Sequence, residues 1–422
     1  MSDLRYRIRG GTPLRGDVTV SGSKNAALPL IAGSVLCAGE TVLRNVPKLR
    51  DIEVMLEILR FLGADTSFQD GTVRIRTDRM TSKPIPGEFV GKLRGSIVLL
   101  GPLLARFGVV EMAYPGGCVL GKRPVGAHVQ ALVQMGATNM STEESLHLQG
   151  TLKPSRVILP EFSVTATESA MLAAALLPGE TRIDVAAAEP HVQDVQKFIT
   201  TLGARVEGMG THTVIVHGQK TLACAEHTVI NDYLEMGVLA LAAIVTRGKV
   251  RIHGADPEQL VMFLDALKRM GAIWKYDPAE KTLFVDGELS SLNATKVQTL
   301  IYPGFPTDLM APMGVALTQA KGVSRIFETL FEGRMAYLYE LEKMGAHVEV
   351  LNAHEALIIG PTPLRGRQVA SNDIRAGAAM VLAGLCADGE TTITDVRYIE
   401  RGFDRLDEKL RSLGASIDRI EE

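Results

Sequence analysis

The chain has 422 residues, 46% of them apolar and 22% charged, with a formal net charge of −3 and 5% aromatic side chains. That length suits two or three domains with sizeable cores. The near-neutral balance and single Trp argue against a broad duplex-binding face or an aromatic platform for nucleic acid.

The first residues, Met1 to Arg5, have no apolar run behind them, so no signal peptide is expected. The longest apolar stretches, 96–105 and 236–245, fall short of the ~18–20 residues that cross a bilayer. Cys37, Cys118, Cys224 and Cys386 are scattered without CxxC spacing. Neither a disulfide framework nor a zinc site is expected, and a reducing, cytoplasmic setting is the default.

In chain order, the segment up to Ser21 reads as strand without a preceding helix. An Ala-rich apolar helix is predicted over 26–36, and Gly39 is expected to end it as a left-handed cap. An alternating strand is predicted over 41–46, then an amphipathic helix over 51–62 with Val54, Leu56, Ile58, Leu59 and Leu62 on its apolar side. Gly63 stops that helix, and a second strand follows at 72–76. The pattern then repeats. Leu/Met-Gly-Ala begins at Leu62, Met135, Leu202, Met270, Met344 and Leu413, a period of roughly 70 residues. A Gly opening a strand-like run keeps the same period at Gly39, Gly108, Gly179, Gly248, Gly322 and Gly389. Thr12–Gly16 recurs as Thr362–Gly366. Six modules of two helices and several strands imply two α/β domains of three modules each. The expected domains are 22–233, and 1–21 with 234–422.

Aligning the modules brings a polar group to the start of each first helix: Ser23, Lys24 and Asn25; Arg94; Ser163, Val164 and Thr165; Asp232; Asp308; Asp373 and Arg375. Ser23, Asp232 and Asp373 also read as ordinary helix caps. Lys and Arg oppose the helix dipole there, which makes sense if an anion sits between. Pro115-Gly116-Gly117-Cys118 followed by Lys122-Arg123-Pro124 is a Gly-rich loop placing cations beside a thiol, surroundings that make a thiol reactive. Cys118 can otherwise be a small buried hydrophobe, the common fate of a free Cys. Cys37 and Cys386 are expected in the core. Arg334 and Arg401 are candidate forks for carboxylate or phosphate, or solvated surface arginines. His128 and His191 are acid–base candidates or satisfied structural histidines.

Ser21 to Ala27, Arg94 to Ile97, Leu100 to Gly108, the Cys118 loop with Arg123-Pro124, Phe305 to Asp308, Phe331 to Arg334 and Arg401 to Phe403 together resemble the enolpyruvyl transferase family, specifically its sugar-nucleotide branch. The likeness spans essentially the whole chain. It implies an inside-out α/β barrel in each of two domains, with the active site in the cleft between them. It also implies transfer of enolpyruvate from phosphoenolpyruvate to the 3-hydroxyl of UDP-N-acetylglucosamine, an early step of peptidoglycan precursor synthesis. On that resemblance Cys118 is the general acid and Asp308 takes the hydroxyl proton. Lys24, Arg123 and Arg401 hold phosphoenolpyruvate with Asn25 beside them. Arg94, Ser163, Val164, Asp308 and Leu330 face the nucleotide sugar. Arg334, Asp373 and Arg375 complete the expected substrate set. No metal, cofactor, nucleic acid, membrane or obligatory oligomer is expected. Departures from the family pattern fall on the nucleotide side: Thr165 for Gly, Glu161 for Lys, Gly126 for Asp, and Tyr233-Leu234 for Arg-Ile.

Overall fold

The computed structural model describes residues 4–116 and 125–421. The chain forms two compact units, Gly22–Ile230, and Met1–Ser21 with Asn231–Glu422. The return crossing at 230/231 falls slightly before the expected 233.

Among the described residues each unit holds three small sheets of one build. In Gly22–Ile230, strand Glu40–Arg44 pairs parallel with Glu226–Thr228 and antiparallel with Thr72–Arg76, which pairs with Asp65–Gln69. Gly179–Asp184 repeats this with Arg156–Ile158, Thr213–Gly218 and Arg205–Glu207. Val109–Ala113 pairs with Ser145–Gln149 and that with Thr138–Asn139, while the parallel neighbour shrinks to one bridge between Ile85 and Met112.

The other unit repeats the pattern around Lys249–His253, Gly322–Phe327 and Glu390–Thr394. The first residues supply two of its sheets. Leu4–Arg9 lies between Glu390–Thr394 and Ser416–Glu421, and Arg15–Thr19 runs parallel to Lys249–His253.

The first helix of each module is predominantly apolar, the mark of a helix buried on most sides. In Tyr233–Val245 every residue but Leu234 is buried. It packs against Met310–Thr318 and Ile374–Cys386 inside their unit. Val164–Ala175 likewise contacts Lys24–Gly33 and Leu100–Phe107 in the other. The sheets and second helices surround these inner helices. Helix Arg50–Phe61 shows why: it buries Ile52, Val54, Met55, Leu56, Ile58 and Leu59 and turns Arg50 and Arg60 outward.

Two expectations need correction. The predicted helix over 26–36 is Lys24–Gly33 plus a 3-10 turn, Ser34–Leu36. It begins earlier because Ser23 caps it, accepting from the Ala26 N–H at 3.4 Å. Gly39 is not its left-handed cap; the helix ends at Ser34 in a right-handed conformation. Among the strand-opening glycines Gly108 takes the left-handed cap role, at φ 73°. The left-handed position common to all modules is the Gly of Leu/Met-Gly-Ala: Gly63, Gly136, Gly203, Gly271, Gly345 and Gly414 have φ between 89° and 113°. There the chain leaves a helix and turns into a strand within a few residues, which requires positive φ and favours glycine.

The cysteines also differ from expectation. Cys37 lies past the first helix, is 2% exposed, and forms a disulfide with Cys224 across a separation of 187 residues. Two cysteines so far apart carry no spacing signal; the fold brings them together. Cys386 is a free thiol at the end of an inner helix, and burial pushes its pKa up to about 12.

Candidate active site

Asp308 is the hub of the site residues in the Asn231–Glu422 unit. It lies in the 3-10 turn Thr307–Leu309 that leads into helix Met310–Thr318. Its Oδ1 accepts from Arg375 Nε at 2.6 Å and Arg334 Nη1 at 2.9 Å. Burial works to raise its pKa, but the charges of Arg375 and Arg334 and the bonds they donate hold the carboxylate well below the usual range. Both bonds fall on Oδ1.

Arg334, 6% exposed at its side chain, also lies over the Phe331 ring at 4.1 Å and donates to Thr307 Oγ1. Asp373 caps helix Ile374–Cys386, accepting from the N–H groups of Arg375 and Ala376 at 2.7 and 3.2 Å. Its cap reading is therefore satisfied, and the same cap holds Arg375 at the helix start. Arg401 sits in helix Arg397–Gly402, which packs on that helix start. A side chain at Gly402 would collide with Ile374, its Cβ falling 2.2 Å from Cγ2, so glycine permits this approach.

The sequence reading missed what supports this hub. Glu328 is fully buried; its carboxylate accepts from Thr299 and Thr307 hydroxyls at 2.9 and 2.6 Å and from the N–H groups of Leu330 and Phe331 at 2.9 and 3.2 Å. It thus fixes the Leu330–Phe331 turn and the Thr307 hydroxyl that Arg334 contacts. A lone Glu at the end of a strand offers no sequence signal for this.

The Gly22–Ile230 unit carries a second group. Lys24 Nζ lies 3.4 Å from Asp51 Oδ2, with 13% and 6% of the two side chains exposed. Asp51, in the first turn of helix Arg50–Phe61, was not singled out in the sequence, where it reads as an ordinary first-turn acid. Asn25 is half-buried one residue on. Arg94 opens the 3-10 segment Arg94–Leu99, and its Nη1 donates to the Pro115 carbonyl at 3.3 Å. Ser163 and Val164 open helix Val164–Ala175, and the Ser163 hydroxyl makes no cap bond there. Thr165 meets His128 Nε2 at 2.8 Å. Burial, then the Arg94 charge, pull His128 down to about 4, so it is neutral near pH 7. Glu161 is exposed, and Gly126 has open space where a side chain would stand. Asp232 is a satisfied cap, accepting from Leu234 and Glu235 N–H groups at 2.9 and 3.2 Å. Cys118 and Arg123 lie outside the described residues. Among the described residues no helix is long and apolar enough to cross a membrane.

A family profile described as EPSP synthase (3-phosphoshikimate 1-carboxyvinyltransferase) matches residues 8–410. A protein of Methylacidiphilum infernorum named UDP-N-acetylglucosamine 1-carboxyvinyltransferase is 40% identical over 420 residues, covering 99% of both chains. One of the same name from Magnetococcus marinus is 39% identical over 415 residues, covering 98% of both. The crystal structure of the enolpyruvyl transferase NikO from Streptomyces tendae superposes with a TM-score of 0.89 at 24% identity over the whole of both chains, a likeness of fold.

Proposed function

Because the chain belongs to the EPSP synthase family, we propose that it is the carboxyvinyltransferase that moves the enolpyruvyl group of phosphoenolpyruvate to the 3-hydroxyl of UDP-N-acetylglucosamine and releases phosphate. The observation that carries this reading is the 39–40% identity, over 98–99% of both chains, to relatives of that name.

The reading assigns the residues as follows. Lys24, Arg123 and Arg401 hold the carboxylate and phosphate of phosphoenolpyruvate, with Asn25 beside them, since a doubly anionic substrate needs several cations. Asp51 keeps the Lys24 ammonium oriented. Arg94, Ser163, Val164, Leu330 and Asp373 receive the nucleotide sugar. Cys118 gives a proton to C3 as the sugar oxygen bonds to C2, and Asp308 takes the hydroxyl proton. Phosphate then leaves as the C–O bond to C2 breaks; the double bond is restored by loss of a C3 proton to the Cys118 thiolate, and the proton taken by Asp308 leaves with the phosphate. Arg334 and Arg375 hold Asp308 ionised and fix its orientation, so its carboxylate is free of a proton when the acceptor hydroxyl arrives. A glycolytic phosphate ester and a nucleotide sugar as substrates place the work in the cytoplasm.

A second reading keeps the chemistry and changes the acceptor to another phosphorylated compound. The exposed Glu161 favours it, because an acidic side chain repels a diphosphate. Phosphate release, followed with and without UDP-N-acetylglucosamine, separates the two. Release that needs this sugar nucleotide, and falls about 10²-fold or more in Asp308→Asn, supports the first reading. Absence of release with it, but release with another acceptor, supports the second.

A further inference from the structure

We propose that Cys37 and Cys224 form a reversible dithiol/disulfide site that controls the stability of the Gly22–Ile230 unit. They lie 187 residues apart in sequence, yet their Cα atoms are 5.4 Å apart. Both are set by neighbours that do not depend on the bond. The Cys37 carbonyl accepts from Arg106 Nη1 at 3.2 Å and from the Thr77 hydroxyl; the same guanidinium also holds the Val35 and Thr77 carbonyls at 2.8 and 2.9 Å. Around Cys224, the Ala223 N–H donates to the Leu202 carbonyl at 2.9 Å, and Val42 N–H donates to the Ala225 carbonyl at 3.1 Å. Two thiols held by such backbone bonds stay adjacent when reduced. A Cβ at Gly39 would fall 3.1 Å from Cys224 Sγ, so residue 39 leaves room for the pair at φ 151°.

The chemistry is asymmetric. Cys224 is half-buried, whereas Cys37 is 2% exposed. Cys224 is therefore the sulfur that a small disulfide reaches. Its thiolate attacks a low-molecular-weight disulfide, joining one half and releasing the other as a thiol. The Cys37 thiolate then attacks Cys224 Sγ and expels the second half. One small disulfide is reduced to two small thiols, which take up the two protons, and the protein pair is oxidised by two electrons. A small dithiol reverses the exchange.

The consequence lies in the strand that follows. Glu226–Thr228 is a three-residue edge strand, held parallel to Glu40–Arg44. His227 Nε2 and the Ile230 N–H reach Asp194 at 2.9 and 3.2 Å. A short parallel edge opens easily. The bond fastens the chain two residues before the strand begins and joins near its two ends a unit that runs from Gly22 to Ile230.

The test uses the full chain, with Cys118→Ser present to remove the other reactive thiol. Incubation with oxidised glutathione, alkylation and peptide mass mapping should give one linked peptide pair containing Cys37 and Cys224, lost on dithiothreitol treatment. Amide exchange over 225–230 should be about tenfold slower in the oxidised form. That difference should vanish in the further variant Cys224→Ser, whose thiol change is at the half-buried position and leaves the core intact. Both cysteines remaining alkylatable after oxidation, Cys386 pairing instead, or equal exchange in both redox states would overturn the proposal. None of these readouts depends on the transferase reading.

Discussion

Replacing Glu328 tests the architecture of the candidate site without touching Asp308 or its arginines. Its Oε1 accepts three bonds, from the Thr299 hydroxyl and the Leu330 and Phe331 N–H groups, while Oε2 accepts one, from Thr307. Glu328→Ala removes both acceptor oxygens, and with them all four bonds, at a fully buried position. The two hydroxyls can turn to other partners, but the two N–H groups cannot. An unsatisfied buried donor costs ~1–3 kcal/mol. These two are only partly buried, so water recovers part of that loss, and about 2–4 kcal/mol is expected. Glu328→Gln differs. Its amide oxygen can stand at Oε1 and keep three bonds, while its NH₂ faces Thr307 Oγ1, which must reverse from donor to acceptor. That hydroxyl oxygen already accepts from Arg334, so it must take the amide on its second lone pair while its own O–H loses one acceptor, and the Gln variant should lose about 1 kcal/mol. Urea unfolding gives both values, and phosphate release gives the effect on the site. Activity should fall far more in Ala than in Gln, because the Thr307–Arg334–Asp308 chain loses its anchor only in Ala. Equal stability of the two variants, or a loss under 1 kcal/mol in Ala, would refute the reasoning.

Two further predictions rest on other parts of the structure. His128 is depressed from 6.5 to about 4, so it contributes stability that is present above pH 6.5 and lost as pH falls toward 4, roughly 3 kcal/mol in all at 1.36 per pH unit; in His128→Gln this part of the acid sensitivity should disappear, and NMR titration of the ring checks the cause directly. Among the helix starts, Asp232→Ala should cost ~1 kcal/mol of stability by removing a cap that accepts two N–H bonds, whereas Ser163→Ala should leave the melting temperature unchanged because that hydroxyl makes no cap bond; a stability loss in Ser163→Ala equal to that in Asp232→Ala would contradict the different roles given to them.

The fold was legible because the modules must each bury one predominantly apolar helix, and that demand repeats in the sequence. Leu/Met-Gly-Ala marks the point where a helix gives way to a strand, and its glycine is left-handed in all six modules. The strand-opening glycines kept the same period, but Gly39 was misread as a cap because a Gly after a helix is ambiguous until φ is known. At the site, the starts of the inner helices were found by aligning the modules, and Asp308, Arg334 and Arg375 do meet. What stayed hidden has one physical cause. Asp51 and Lys24 are 27 residues apart, Glu328 and Thr307 are 21 apart, and Cys224 and Cys37 are 187 apart. No local period or spacing encodes them; the first two pairs meet when a module folds on itself, and the third when the modules of one unit pack. The same limit kept the Thr165–His128 pair out of sight: Thr165 read only as a departure from the family pattern, and its hydroxyl meets His128.

The central claim is the transfer of an enolpyruvyl group to the sugar of UDP-N-acetylglucosamine. Proton NMR of a reaction holding enzyme, phosphoenolpyruvate and this nucleotide sugar addresses it most directly. Two new vinyl signals on a product whose sugar 3-position is substituted, growing one for one with free phosphate and absent in Asp308→Asn, are the predicted result. Phosphate release without a vinyl ether on the sugar, or no reaction while a different acceptor is converted, would contradict it.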